Sequence, residues 1–199
     1  MMIRGDLSNR LIHLTKGNTI DEASPNFFQI INQGKLIGGT GYIRGGYSCV
    51  CFSKAPISVL SQVLSIPSVH GMRYAPLGVM VQKQWLFEKG GRPVIYQADE
   101  QFELLPEELK YRHVRYEPHR GIDHTWEREW RIHTQELFLD AATATFVVPT
   151  REWEEQFKEE HANNQRAMAL ALGDNGWIGV EKFRWHFIVL EDLGVEFQW

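Results

Sequence analysis

The stretch Asp123-His124-Thr125-Trp126-Glu127-Arg128-Glu129-Trp130-Arg131-Ile132-His133 carries the clearest pattern in this chain of 199 residues. Read with a period of two, it divides into two faces. The first face carries Trp126, Arg128, Trp130 and Ile132, and the second carries Glu127, Glu129, Arg131 and His133. Tryptophan favours the half-buried surface of a pleated sheet, so the pattern predicts a β-strand over residues 126–133.

Two interpretations of the charged face are open. Four ionisable groups on one strand face are typical of a site that meets water or a ligand, because strands with a purely structural role seldom stack them. The second interpretation is a solvated outer face with a Glu/Arg ladder, since surface ion pairs are common and weak. The stretch by itself favours neither interpretation.

Length and composition indicate a single globular domain spanning residues 1–199. The chain is 43% hydrophobic and 23% charged, which excludes a disordered or fibrous protein. Its formal net charge of −4 gives no overall field that attracts nucleic acid or anionic lipid. No run approaches the roughly 18 apolar residues of a membrane span, and the N-terminus lacks an apolar signal core. We therefore expect a cytoplasmic protein with no membrane partner, and reduced core thiols at Cys49 and Cys51.

Strands and helices are mixed along the chain without a regular β-α-β order. Apolar alternation predicts strands at 11–15, 47–53, 77–81, 92–96, 113–116, 144–149 and 183–190. Helices are predicted after a Ser24 N-cap to about Gly34, and at 57–64, 83–89 and 151–171. Residues 38–46 are rich in glycine but match no nucleotide-binding spacing, so they predict a loop. This order favours an α+β fold with a mixed or antiparallel sheet.

Common catalytic motifs are absent from the sequence. It contains no Gly-x-Ser-x-Gly, His-Glu-x-x-His or Cys-x-x-Cys motif. The histidines nearest the Trp-rich stretch have a spacing that fits no compact metal site, so we predict no metal; they are His113, His119, His124 and His133. The remaining polar groups of interest are two carboxylates on one strand, a His-x-Thr strand and a serine that ends a third strand.

Three motifs carry a resemblance. Leu11-Ile12-His13-Leu14-Thr15, Cys49-Val50-Cys51-Phe52-Ser53 and Trp126-Glu127-Arg128-Glu129-Trp130-Arg131, in this order, resemble the three-strand signature of the ADP-ribosyltransferase superfamily. Within that superfamily the chain is most similar to DarT-like and AbiGi-like proteins of bacterial toxin–antitoxin and phage-defence systems. The resemblance covers about residues 10–135. It implies a split mixed or antiparallel β-sheet core with flanking helices, and NAD as co-substrate.

The resemblance also implies roles for individual residues. Glu129 is the implied catalytic carboxylate, and Glu127 orients the acceptor nucleophile or aids its deprotonation. His13 and Thr15 hold the dinucleotide, Ser53 supports the pocket wall and braces Glu129, and Tyr74 stacks on nicotinamide. The pyrophosphate partner is Arg44 or Arg92, with Lys54 as a competitor.

The resemblance leaves the acceptor and the activity open. A nucleic-acid base is the favoured acceptor and a protein is the alternative, and a cognate antitoxin is an implied partner. A basic set, Lys110, Arg112, Arg115, Arg120, Arg128 and Arg131, supports nucleic acid, although salt bridges to Glu107, Glu108 and Glu117 explain it equally well. The rival functions are a non-enzymatic antitoxin or adaptor with the same fold, and a metal-dependent nuclease using Glu127 and Glu129.

Overall fold

A computed structural model describes residues 8–55, 74–171, 173 and 183–195. The helix predicted at 57–64 and the turn predicted at 174–176 lie outside these residues. The described chain is a mixed α+β structure with several small sheets and few helices, as the order of the sequence patterns predicts. Within the described residues, no helix combines the length and apolarity needed to cross a bilayer.

The secondary structure alternates short strands with four α-helices in the described residues. The strands are β1 (Arg10–Leu14), β2 (Lys35–Ile37), β3 (Cys49–Phe52), β4 (Gly78–Gln82), β5 (Arg92–Pro93), β6 (Ile95–Gln97), β7 (His113–Arg115), β8 (Trp130–His133), β9 (Glu136–Phe138), β10 (Ala144–Val148) and β11 (Phe187–Val189). The helices are α1 (Ile20–Gln33), α2 (Lys83–Glu88), α3 (Glu107–Lys110) and α4 (Arg151–Ala171). Short 3₁₀ turns occupy Asp99–Leu104, Pro118–Arg120, Thr125–Glu127 and Glu191–Leu193.

The chain forms two compact units, each assembled from separate chain segments. The described residues of the first are 8–13, 35–55 and 80–139, and those of the second are 14–34, 74–79, 140–171, 173 and 183–195. A four-stranded sheet has the order β1-β4-β10-β11. The division falls inside β1, after His13, and inside β4, after Val79. A single domain over residues 1–199 remains a prediction.

The first unit is built around a three-stranded antiparallel sheet in the order β3-β8-β5. Its register pairs Cys51 with Arg131 and Arg131 with Arg92, so these three side chains share one face. Phe52 pairs with Trp130 on the opposite face. A bridge between Ile12 and Ser53 attaches β1 to the end of β3. His13 on β1, Cys51 and Phe52 on β3, and Trp130 and Arg131 on β8 therefore lie on successive neighbouring strands.

Helix α1 of the second unit begins earlier than the sequence predicts. Its N-cap is Thr19, whose hydroxyl accepts the Glu22 N–H, so the prediction of a Ser24 cap is wrong. Pro25 consequently lies inside the helix, where it has no N–H to give to the Asp21 carbonyl. The Ser24 hydroxyl donates to that carbonyl at 3.2 Å and satisfies it instead.

The core of the second unit is aromatic. Phe27 of α1 meets Phe146 of β10 and Phe157 of α4 edge to face, with ring centroids 5.4 and 5.0 Å apart. Trp185 packs on Phe146 and donates its indole N–H to the Ile31 carbonyl at 3.2 Å. Helix α4 spans Arg151–Ala171, which confirms the helix predicted over those residues.

The strand predicted over 126–133 is shorter than its alternation suggests. Thr125–Glu127 form a 3₁₀ turn, and Arg128 adopts a left-handed conformation with φ of +46°. This conformation is uncommon for a residue with a Cβ atom, and it breaks the alternation. Only Trp130–His133 are extended as β8, so the prediction that Glu127 and Glu129 share one strand face is wrong.

Candidate functional site

The Glu129 carboxylate and the Arg131 guanidinium form a two-pronged ion pair on the polar face of the β3-β8-β5 sheet. Arg131 Nε donates to Glu129 Oε1 at 2.8 Å, and one terminal nitrogen donates to Oε2 at 3.2 Å. Paired N–H groups in this fork geometry are among the strongest and most directional contacts a carboxylate makes. The carboxylate is therefore held in one orientation.

Backbone carbonyls fix Arg131 in turn. Its second terminal nitrogen donates to the carbonyls of Tyr111 and His113 at 3.0 and 2.9 Å. The Arg131 side chain is 6% exposed and the Glu129 side chain 13% exposed. The guanidinium is thus the hidden member of the pair, and the carboxylate is the member nearer to solvent.

Cys51 lies near this carboxylate, at the position of β3 that pairs with Arg131. Burial together with the Glu129 charge raises the pKa of the Cys51 thiol to about 12. Burial likewise raises the pKa of Cys49 to about 11, so both thiols stay protonated at neutral pH. An ionised carboxylate has about four lone-pair positions. The two N–H groups of Arg131 leave about two positions of Glu129 for other donors, such as a ligand hydroxyl.

Tertiary hydrogen bonds hold the turn that carries Glu127. The Glu127 carbonyl accepts the Ser53 hydroxyl at 2.7 Å and the Lys54 N–H at 3.2 Å. Ser53 therefore braces the backbone of Glu127, which corrects the expectation that it braces Glu129. The contact still ties the serine that ends β3 to the segment holding both carboxylates.

Tyr96 clamps the same turn from β6. Its phenol oxygen accepts the Glu129 N–H at 3.1 Å and donates to the His124 carbonyl at 3.4 Å. Burial raises the pKa of Tyr96, which keeps this donor protonated. One side chain thus spans the turn from His124 to Glu129, including the left-handed Arg128.

His13 lies beside β3, on the side of Phe52. Its Nδ1 donates to the Cys51 carbonyl at 2.8 Å, since a carbonyl only accepts, and its ring meets Phe52 edge to face. Side chains alternate along a strand, so Phe52 and Cys51 point to opposite faces of β3. The described contacts place the His13 ring with Phe52, whereas the Glu129 carboxylate lies with Cys51.

Thr15 and Tyr74 belong to the second unit. Thr15 is buried, and its backbone bonds to Leu77 and Ala75. In the part of the chain that the structure describes, the Thr15 hydroxyl has no hydrogen-bond partner. Tyr74 is half-buried.

The two candidate arginines for the pyrophosphate have different surroundings. The Arg44 guanidinium pairs with the carboxylates of Asp99 at 2.7 Å and Glu103 at 3.5 Å, and it stacks on Phe102. Arg92 instead donates to the carbonyls of Phe87 and Gly91 and stacks on the Phe87 ring. Neutral carbonyls leave the charge of Arg92 for an anion, whereas the partners of Arg44 already neutralise it.

Most of the basic set is engaged by carboxylates. Lys110 pairs with Glu103 and Glu107, Arg115 and Arg120 both pair with Glu117, and Arg131 pairs with Glu129. Arg112 donates to the Pro93 carbonyl. These contacts match the salt-bridged interpretation of the set, which had named Glu107 and Glu117.

Sequence reasoning missed three neighbours of Glu129. Arg131 was placed on the correct face, and a carboxylate two residues from an arginine on a strand was the signal for their pairing. Cys51 sits opposite Arg131 only once the β3–β8 register is known. No local signal identifies Tyr96, because its contact with Glu129 depends on the tertiary fold.

Neither a metal cluster nor a known relative identifies this site. In residues 8–55, 74–171, 173 and 183–195, no three His, Cys, Asp or Glu side chains are placed to hold a metal ion. No family model, curated protein or solved structure matches the chain. The geometry of the site and the resemblance of the three motifs are therefore the basis for a proposed function.

Proposed function

We propose that this chain is an NAD-dependent ADP-ribosyltransferase that transfers ADP-ribose to a macromolecule in the bacterial cytoplasm, as a toxin or anti-phage effector. One observation supports the proposal above the others. The Glu129 carboxylate is fixed by a buried arginine, is itself 13% exposed, and keeps about two acceptor positions. A carboxylate prepared in this way suits a ribose hydroxyl beside a developing positive charge.

The proposed reaction breaks the bond between nicotinamide and ribose C1′. Nicotinamide leaves with the bonding electron pair, and C1′ passes through an oxocarbenium-like state, as in glycoside hydrolysis. The Glu129 carboxylate stabilises that state more than the ground state because the positive charge develops as the bond breaks. The acceptor nucleophile then forms the new bond to C1′ and gives up its proton, for which the half-buried Glu127 is the proposed base.

The proposal assigns NAD binding to an arginine of β5 and to three residues named by the resemblance. Arg92 is the preferred partner of the pyrophosphate, since its present partners are neutral carbonyls and its register position on β5 faces Arg131. By resemblance, His13 and Thr15 hold the dinucleotide and Tyr74 stacks on nicotinamide. Ser53 acts through the Glu127 backbone that it holds.

A nucleic-acid base remains the favoured acceptor through the resemblance, with proteins as the alternative. The pairing of Lys110, Arg115, Arg120 and Arg131 with carboxylates lowers the weight of the basic set as a phosphate-binding surface. A cognate antitoxin is the expected partner in the cell.

A second candidate, a non-enzymatic antitoxin or adaptor, is favoured by the same carboxylate. The fork from Arg131 already engages both Glu129 oxygens, as is typical of a structural ion pair. Calorimetry with NAD separates the two functions, because an adaptor gives no heat of binding. A nuclease is tested by adding a chelator, which abolishes metal-dependent cleavage.

The test of the proposal is incubation of the protein with labelled NAD and, separately, DNA, RNA and a bacterial lysate. The expected result is release of nicotinamide and label in one acceptor class with the wild type, and loss of both with Glu129→Ala. Glu136→Ala is the matched control, since Glu136 forms a surface ion pair with Lys35. Absence of turnover and label from every wild-type mixture contradicts the proposal.

A further inference from the structure

We infer that Arg131 is a positioning residue for the transfer reaction, which acts on the substrate only through the Glu129 carboxylate. The inference rests on the proposed function. It assigns the residue to the site although its side chain is 6% exposed and its guanidinium is covered by protein groups. Arg131 therefore contributes to the reaction by orienting a reacting group and not by touching NAD.

Protein groups on two sides constrain the Arg131 guanidinium. Four hydrogen bonds from three nitrogens reach two carboxylate oxygens and two backbone carbonyls. The guanidinium is planar and its donors have fixed directions, so partners on two sides define both its position and its rotation. The carbonyls of Tyr111 and His113 belong to the segment that enters β7, which anchors the fork to a neighbouring strand pair.

The fixed guanidinium in turn fixes the orientation of the Glu129 carboxylate. A free glutamate rotates about its last side-chain bond, whereas the fork holds the Glu129 carboxylate plane in line with the guanidinium. The lone pairs that the fork leaves open therefore have defined directions, and a hydroxyl bound there meets the carboxylate in a fixed geometry.

The substitution Arg131→Lys tests whether the shape of the guanidinium matters apart from its charge. Lysine keeps the positive charge but has no planar fork, so it cannot bind both oxygens of Glu129 and both carbonyls together. In Arg131→Lys the carboxylate keeps a cation nearby and loses its fixed orientation. We expect kcat for nicotinamide release to fall by about 10- to 100-fold, because small displacements of a catalytic group have effects of this size. KM and the calorimetric Kd for NAD should stay close to the wild-type values, since the cation does not contact NAD.

A control variant separates a positioning role of Arg131 from a purely structural one. Arg115→Lys is the matched control, because Arg115 also pairs with a carboxylate two residues away, Glu117. We expect this control to keep wild-type kcat. Near-ultraviolet circular dichroism and the melting temperature of both variants establish the folded fraction at the assay temperature.

A double-mutant cycle with Glu129→Asp provides the decisive readout. Aspartate keeps the charge, but its shorter side chain cannot make the same two-pronged contact, so the orienting role of Arg131 is already lost. We therefore expect Arg131→Lys to lower kcat by no more than about twofold in the Glu129→Asp background, in contrast to its effect in the wild type.

Each outcome bears on one of the two claims. If the wild type turns over NAD and the effects of Arg131→Lys multiply equally in both backgrounds, Arg131 acts independently of Glu129 and the inference is overturned alone. A proportional fall of kcat and NAD binding with the folded fraction also overturns it, because that marks a purely structural role. If the wild type does not turn over NAD, the proposed function fails and the inference fails with it.

Discussion

Two carboxylates of the first unit are each paired with an arginine two residues away, and the two pairs differ in which partner is more buried. In the pair of Glu117 and Arg115, the carboxylate is 5% exposed and the arginine 40% exposed, and Arg120, the second partner of Glu117, is 61% exposed. In the pair of Glu129 and Arg131, the arginine is 6% exposed and the carboxylate 13% exposed.

We interpret Glu117 as a structural group and, under the proposed function, Glu129 as the group that contacts the substrate. Glu117 also accepts the Asp99 N–H at 3.2 Å, so its carboxylate joins the end of β7 to the turn that begins at Asp99. Glu129 is instead bound by Arg131, which the carbonyls of Tyr111 and His113 hold on its other side. Under the proposed function, the Glu129 carboxylate contacts the substrate, whereas the Glu117 carboxylate stabilises the fold.

The largest expected effect on stability comes from replacing the buried Arg131. Arg131→Met leaves Glu129 as a partly buried charge without its cation and leaves two carbonyls without donors. We expect a loss of about 3–5 kcal/mol in the free energy of unfolding, the size typical of a broken buried pair. Arg115→Met should cost clearly less, because Arg120 and the Asp99 N–H remain on Glu117. Urea unfolding of both variants measures the difference, and equal losses would remove the distinction between the two pairs.

A smaller effect is expected from the clamp on the Glu129 turn. Tyr96→Phe removes the acceptor of the Glu129 N–H and the donor to the His124 carbonyl. We expect about 1–3 kcal/mol of destabilisation from the two unsatisfied groups. Tyr47→Phe is the control, because its phenol bonds to Glu107 at the solvent-exposed surface. Thermal unfolding measures both variants, and a larger loss in Tyr47→Phe would contradict the role given to Tyr96.

The smallest expected effect is a pH dependence of the stability contributed by Glu117. The hydrogen bond from Arg115 is the main cause that lowers the pKa of Glu117 to about 2, against about 4.3 for an unfolded glutamate. The unfolded state therefore binds more protons between these values, and the stabilisation present at higher pH is lost as pH falls through this window. Glu117→Gln should show a shallower decline of stability between about pH 4 and pH 2 than the wild type. An unchanged slope would mean that Glu117 is not the group that titrates.

The sequence predicts the α+β class and many of the elements, because their patterns are local. Helix α4 has a Thr150 cap, an acidic first turn and a 3.6-residue period, and strand β3 is a continuous apolar run. Strands β2 and β9 were missed, since three residues each are too few to show alternation. The left-handed Arg128 also has no local signature, because its turn combines local backbone hydrogen bonds with tertiary ones from Ser53, Lys54 and Tyr96.

For the candidate site, the sequence supplies three motifs, whereas their spatial relation comes from the tertiary fold. The bridge between Ile12 and Ser53 places β1 beside the end of β3, and the β3–β8 ladder places β3 beside β8. The face on which each side chain lies depends on register and on the turn at Arg128, which no single motif reveals. His13 accordingly lies with Phe52, and Ser53 contacts Glu127 in place of Glu129.

The most direct test of the catalytic role proposed for Glu129 compares nicotinamide release from NAD by Glu129→Gln and Glu117→Gln at a temperature where both remain folded. Both substitutions remove the carboxylate charge from a glutamate that pairs with an arginine, so they are matched in chemistry. We expect Glu129→Gln to lower the rate by about 100- to 1,000-fold, the size typical of losing one electrostatic stabiliser. We expect Glu117→Gln to stay near the wild-type rate. Equal rates for the two variants would contradict the account.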